Sequence, residues 1–277
     1  MTIKIAGAPI SWGVCEVAGW GYQLHCHRVL SEMRGAGLTA TELGPDGFLP
    51  ADTAELTALF DAQELSCVGG FVPVVLHDAA HDPATDLAGP MASLRAAGAG
   101  VVVLAAATGA QGYDSCPELD DDQWATLLAN LDRLSGMVAE AGLLAVLHPH
   151  VGTMVETSAD LDRVLAGSAI ALCLDTGHLL IGGTDPLELA KAVPRRIKHT
   201  HLKDVDAALA TRVRSGEISY TDAVRAGMYT PLGTGDFDIA GVVSVLRQDT
   251  ILDAEPTDEG PVRDVLASVA YLKSVTA

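Results

Sequence analysis

The chain has 277 residues, 49% of them hydrophobic, with 17 Lys and Arg against 36 Asp and Glu for a formal net charge of −19. That length and apolar content support a large packed core and exclude a disordered polypeptide. An acidic excess of this size repels phosphate backbones, and the densest basic spot, Pro194-Arg-Arg-Ile-Lys198, is short. A nucleic-acid partner is therefore not expected, and a small molecule is. No stretch approaches the ~20 apolar residues that span a bilayer, so no membrane partner is expected either. Residues 1–5 read as a strand rather than a signal peptide. The five cysteines include no CxxC pair, which points to buried thiols in a reducing cytoplasm. The oligomeric state is left open, a homo-oligomer included.

In chain order, residues 3–10 form a short apolar strand that runs into Ser11-Trp12-Gly13. Residues 25–37 read as a helix ending in Gly. Residues 39–43 are a second strand carrying Glu42, broken by Gly44-Pro45-Asp46-Gly47. Asp52 caps a helix to residue 63. Residues 65–72 are a third strand, 90–97 a helix, and 100–105 a strongly β-branched fourth strand. The loop 108–118 precedes an amphipathic helix over 121–141, closed by Gly142.

The second half repeats the rhythm. Residues 143–147 are a fifth strand followed by His148-Pro-His150, and Ser158 caps a helix to 165. The run 170–174 is a buried sixth strand ending at Asp175-Thr-Gly-His178, with its helix at 186–193. Residues 197–202 are the seventh strand, whose period-2 alternation puts His199, His201 and Lys203 on one face. A polar helical insertion, 206–227, leads into a loop over 229–236. A helix at 239–246, an eighth strand at 250–255 and a helix at 261–275 complete the chain. Eight such units predict an α/β protein of the (β/α)8 TIM-barrel class, with residues 1–277 as one domain. A doubly wound open sheet is the alternative, but no GxGxxG follows the first strand.

Active sites of such barrels lie at the C-terminal strand ends. There the sequence places Ser11 and Trp12, Glu42, His148, His150 and Glu156, Asp175 and His178, His199, His201 and Lys203, and Glu255. A barrel built only for stability would carry Val, Ile and Leu at these points. Each residue also has a plainer reading: Trp12 as packing at the barrel mouth, Lys203 as a charge partner for a nearby carboxylate, Asp175-Thr-Gly as a turn. Together, a carboxylate, several imidazoles and an ammonium on neighbouring strand ends suit a divalent metal of the manganese, cobalt or zinc type better than calcium.

The pattern Asp175-Thr-Gly-His178, then His199-Thr-His-Leu-Lys-Asp204, then a glutamate in the last strand resembles the xylose-isomerase-like sugar isomerase/epimerase superfamily. Within it, Ala8-Pro-Ile-Ser-Trp-Gly13, the segment 42–50 and Pro231-Leu-Gly-Thr-Gly-Asp236 resemble the inosose dehydratase group. The resemblance implies one divalent metal, manganese or cobalt in the first place, with zinc or magnesium as alternatives. It implies metal ligands at Asp175, His201 and Glu255. The superfamily's fourth ligand, a glutamate of strand five, has no counterpart in 143–147. The resemblance assigns the downstream Glu156 instead, with His148 as the alternative.

The implied chemistry is loss of water from a keto-inositol or similar keto-sugar, through an enolate stabilised by the metal. A keto-sugar epimerase or isomerase shares the first half of that path and is the alternative. A DNA repair enzyme of the endonuclease-IV type shares the barrel and the Asp and His motifs, but the charge argues against it. A lone Asp-Thr-Gly in an α/β pattern is weak evidence for an aspartic protease. Lys203, His150 and Glu42 are the candidate bases. Ser11, Trp12, His148, His178, Gly233 and Asp236 are expected to face the substrate, the glycine loop through its backbone.

Overall fold

The computed structural model describes residues 4–15, 17, 20–246, 251–254 and 261–276. Seven strands come first: β1 (Ile5–Gly7), β2 (Ala40–Glu42), β3 (Ser66–Val74), β4 (Val101–Ala106), β5 (Leu144–Leu147), β6 (Ala171–Asp175) and β7 (Ile197–Leu202). Next, β8 (Asp204–Val205) and β9 (Tyr229–Thr230) pair antiparallel as a small ribbon. The last strand is β10 (Ile251–Ala254). Strands β1 to β7 and β10 close into a parallel barrel, with β10 between β7 and β1.

The described helices are α1 (Cys26–Gly35), α2 (Thr53–Gln63), α3 (Ala84–Ala96), α4 (Asp121–Glu140), α5 (Ser158–Gly167) and α6 (Thr176–Ile181). They continue as α7 (Pro186–Ala192), α8 (Ala207–Arg214), α9 (Tyr220–Arg225), α10 (Ile239–Val245) and α11 (Pro261–Val275). The barrel class predicted from the sequence is the observed one.

Strand alternation divides the core in two. In β4, Val102 and Leu104 face outward into the large cluster shared with the helices, where Leu30, Met33, Leu127, Leu131 and Leu134 are buried. Val101 and Val103 instead join Val146 and Cys173 in a separate apolar cluster. Ala6, Ala40 and Val68 form another small cluster. Each fully buried Leu contributes roughly 1.5–3 kcal/mol. The same alternation in β6 sends Leu172 and Leu174 outward with Cys173 and Asp175 on the opposite face.

Three details depart from the sequence reading. Helix α3 begins at Ala84 and carries Pro90 in its interior. Leu87 and Leu94, seven apart on one face and both buried, anchor it despite the hydrogen bond that proline removes. The turn expected after Asp175 is a short helix, α6, because the Asp175 side chain caps it. The loop 229–236 begins as a strand that pairs with β8. Among the described residues, no helix is long and apolar enough to cross a membrane.

Candidate active site

Asp175 ends β6, opposite His201 of β7 in the strand register. It is fully buried and divides its oxygens between two tasks. Oδ1 accepts the His178 N–H at 2.8 Å and starts α6. Oδ2 accepts from His148 Nε2 at 3.1 Å and from Lys203 Nζ at 2.5 Å, and lies 3.8 Å from His201 Nδ1. Burial opposes the carboxylate charge, but Lys203, His178 and His148 hold its pKa well below the usual range.

Glu42 reaches from β2, where a register irregularity follows Thr41. Its Oε1 accepts from His199 Nε2 at 2.8 Å and His201 Nε2 at 3.1 Å. Burial again opposes the charge, and the two imidazoles lower its pKa well below normal. His201 thus stands between two buried carboxylates, its Nε2 toward Glu42 and its Nδ1 toward Asp175.

Above this floor, the rings of His150 and His178 lie with centroids 3.6 Å apart and planes tilted by 32°. Burial pushes both pKa values well below that of free imidazole, and neighbouring imidazoles add to the fall. Burial also lowers the pKa of His148, against the pull of Asp175. Neutral rings are the result near pH 7. His148, His150, His178, His201, Lys203 and Glu42 all line a cavity of about 1090 Å³. Phe71, Tyr113, Tyr220 and Tyr229 supply its apolar surfaces. Tyr113 lies 4.6 Å from the His150 ring, and the Tyr220 and Tyr229 hydroxyls are 3.0 Å apart.

The donors fit a divalent metal. His148, Asp175 and His178 offer ligand atoms within 4.8 Å of one another, as do His148, Cys173 and His201, and Glu42, His199 and His201. His148 Nδ1 is buried with no hydrogen-bond partner among the described residues, which is costly unless something binds there. Imidazole and carboxylate donors match manganese, cobalt or zinc in kind.

Several expected residues stand elsewhere. Glu156 does not join these groups. Its Oε2 accepts the Gly152 N–H at 2.8 Å, and burial raises its pKa, with Asp160 adding to the rise. His148, directly after β5, is the residue of this segment that joins the groups. Glu255 lies outside the described residues. Trp12 is fully buried in the helix–strand core and its Nε1 donates to Glu32 at 2.9 Å. It is packing, not a sugar platform. Ser11 is buried beside it, away from the cavity lining.

The glycine loop is also structural. Asp204 Oδ2 accepts the N–H groups of Gly233 and Gly235 at 2.9 and 3.0 Å, and Oδ1 that of Phe237 at 3.2 Å. Its donors are turned inward to a buried carboxylate and not toward a ligand. Gly233 adopts φ +81°, and a Cβ there would lie 2.5 Å from the Tyr271 ring. Asp236 accepts the first N–H of α8, from Ala207, at 3.0 Å.

The site residues that motif reading missed are the aromatic ones. Tyr113 comes from the loop before α4, Tyr220 from α9 and Tyr229 from β9. Aromatic residues make up only 4% of the chain. Finding three of its five tyrosines in the polar loop and insertion was a usable signal. Cys173 was legible too, as the residue two before Asp175 on the same strand face.

The xylose isomerase-like TIM barrel family model matches residues 31–275. The chain is 30% identical to an inosose dehydratase of Lacticaseibacillus casei, over 98% of this chain and 97% of that one. Among solved structures, it is similar to the probable 3-DHS dehydratase AsbF of Bacillus anthracis, with TM-score 0.74, 14% identity and coverage of 98% and 99% of the two chains. It is also similar to an IOLI protein with a bound zinc atom, with TM-score 0.71, 15% identity and coverage of 99% and 98%.

Proposed function

We propose that this chain, which belongs to the xylose isomerase-like TIM-barrel family, is a metal-dependent enzyme that removes water from a keto-inositol or a similar keto-sugar. The observation that carries the reading is Asp175 Oδ2, 3.1 Å from His148 Nε2 and 3.8 Å from His201 Nδ1, beneath a cavity lined by His148, His150, His178, His201 and Lys203. Near-full-length similarity to an inosose dehydratase supports the substrate class. Residues 1–277 act in this as one functional domain on a small polyol.

His148, Asp175 and His201 would hold the divalent metal. When bound, it supplies an electrophile for a ketone oxygen and stabilises negative charge built up beside it. The protein's own groups do the rest. Lys203, held on Asp175, places an ammonium where an oxyanion develops. The neutral imidazoles of His150 and His178 can accept or donate hydrogen bonds to hydroxyl groups without bringing a charge into the cavity. Tyr113, Tyr220 and Tyr229 exclude water around the ring and offer aromatic faces to its C–H groups.

A keto-sugar epimerase is the second reading, because the enolising half of the path uses the same residues. Incubation with a keto-inositol in deuterated water tests both. The dehydratase reading expects a product lighter by one water with near-ultraviolet absorption, lost with a chelator and restored by manganese or cobalt. Deuterium entering recovered sugar across several keto-polyols, with no loss of water, would replace it with the epimerase.

A further inference from the structure

We propose that the Val151 peptide locks His150 and His178 in opposite tautomers. The cavity then meets one ring nitrogen that accepts and one that donates, and His150 is the group that takes and returns the substrate proton. The chemistry in this proposal rests on the dehydratase reading; the tautomers do not.

A carbonyl oxygen can only accept a hydrogen bond, and an amide N–H can only donate one. His150 Nδ1 lies 2.6 Å from the Val151 carbonyl oxygen, so Nδ1 carries the hydrogen and Nε2 keeps its lone pair. The Val151 N–H lies 3.3 Å from His178 Nδ1, so that nitrogen is bare and the hydrogen sits on Nε2. One peptide unit therefore sets both rings, in opposite senses, with their centroids 3.6 Å apart. Among the described residues, no hydrogen bond reaches either Nε2, and both side chains line the cavity.

The rival bases are differently placed. Lys203 Nζ donates to Asp175. Glu42 Oε1 accepts from two imidazoles. His150 instead presents an acceptor that its own backbone bond has prepared. In the step proposed, His150 Nε2 takes the hydrogen from the carbon next to the ketone, and that C–H electron pair becomes the new C=C bond. The neighbouring C–O bond breaks with its pair on oxygen, which takes the proton back from His150 and leaves as water. His150 ends as it began. His178 keeps its Nε2 hydrogen throughout and uses it to hold a substrate oxygen.

Two-bond 1H–15N correlation on histidine-labelled protein reads the tautomers without substrate, with His150→Gln and His178→Gln assigning the two rings. The expected result is Nδ1–H for His150 and Nε2–H for His178. Kinetics on a keto-inositol complete the test. His150→Gln should lose at least ~100-fold in kcat with KM nearly unchanged, the scale of a lost general base. His178→Gln, whose amide can donate from the same place, should keep about tenfold more kcat/KM than His178→Leu. Equal tautomers, or a His150→Gln enzyme within tenfold of the parent, would overturn the proposal. Opposite tautomers in a protein that turns over no keto-polyol would overturn the dehydratase reading and leave the lock standing.

Discussion

Lys203 and His148 donate to one and the same oxygen, Asp175 Oδ2, from 2.5 Å and 3.1 Å. All three side chains are buried. Removing one partner of a buried ion pair leaves an uncompensated charge, at a cost of about 3–5 kcal/mol. Lys203→Met should therefore lower the melting temperature sharply in chelator. A bound cation should recover most of that loss, so the gap between chelated and metal-loaded melting temperatures should widen relative to the parent. Scanning fluorimetry with and without manganese measures it. An unchanged gap would show that Lys203 and the metal do not share Asp175.

The metal itself gives the next expectation. His148→Ala, Asp175→Ala and His201→Ala should each purify with little bound metal, while Glu156→Ala should retain it. Elemental analysis after gel filtration decides this. A metal-free Glu156→Ala protein would return the fourth ligand to Glu156, against the 2.8 Å bond that engages its Oε2 with Gly152.

The glycine loop should respond as structure. Gly233→Ala meets both a positive φ and the Tyr271 ring, and should destabilise by about 2 kcal/mol. Asp204→Ala removes the buried acceptor shared by the part-buried N–H groups of Gly233, Gly235 and Phe237, at about 1–3 kcal/mol. Denaturant unfolding gives both numbers. Gly233→Ala should leave KM unchanged; a raised KM at full stability would place the loop on the substrate after all.

Trp12 offers a sharper contrast. Trp12→Ala empties a fully buried site and should cost about 3–5 kcal/mol, with KM nearly unchanged in the protein that remains folded. Trp12→Phe should cost less, losing part of the packing and the bond to Glu32.

Acid should act on the imidazoles before the carboxylates. His148, His150 and His178 all have pKa values lowered in the folded chain. As pH falls through about 6.5, the unfolded chain takes up protons that the folded chain refuses, so stability is lost. Glu42 and Asp175, held well below the carboxylate range, add a second loss below about pH 4 by the same rule. Melting temperature of the metal-free protein, followed from about pH 7.5 to 5, should fall. The fall should be shallower in His178→Phe. A flat profile in the parent would contradict the buried, neutral state of these rings.

The barrel and the floor of its site were readable because both rest on local pattern. Apolar runs ending in Asp175 or continuing through His199 and His201 define strands and their inner faces without reference to the rest of the chain. The exceptions depended on where loops travel. The resemblance assigns Glu156 as the carboxylate downstream of His148, but its Oε2 accepts the Gly152 N–H. Gly233 looked like a ligand loop because glycine permits close approach, and what approaches is the Tyr271 ring and the carboxylate of Asp204. Trp12 follows the first strand as a sugar-facing residue might, yet the 3-10 turn Pro9–Trp12 rolls it toward Glu32 of α1. Pro90 resembles a helix start, which hides the first turns of α3 from the sequence.

The contact from Glu42 to His199 and His201 spans 157 and 159 residues of chain. It joins the second strand to the seventh, and so forms only when the sheet has curled around. A ribosome must have released all of β7 before the Nε2 of His201 can meet its carboxylate. Ions encountered by the growing polypeptide find scattered imidazoles, not a pocket, and the choice among them is deferred to the finished protein.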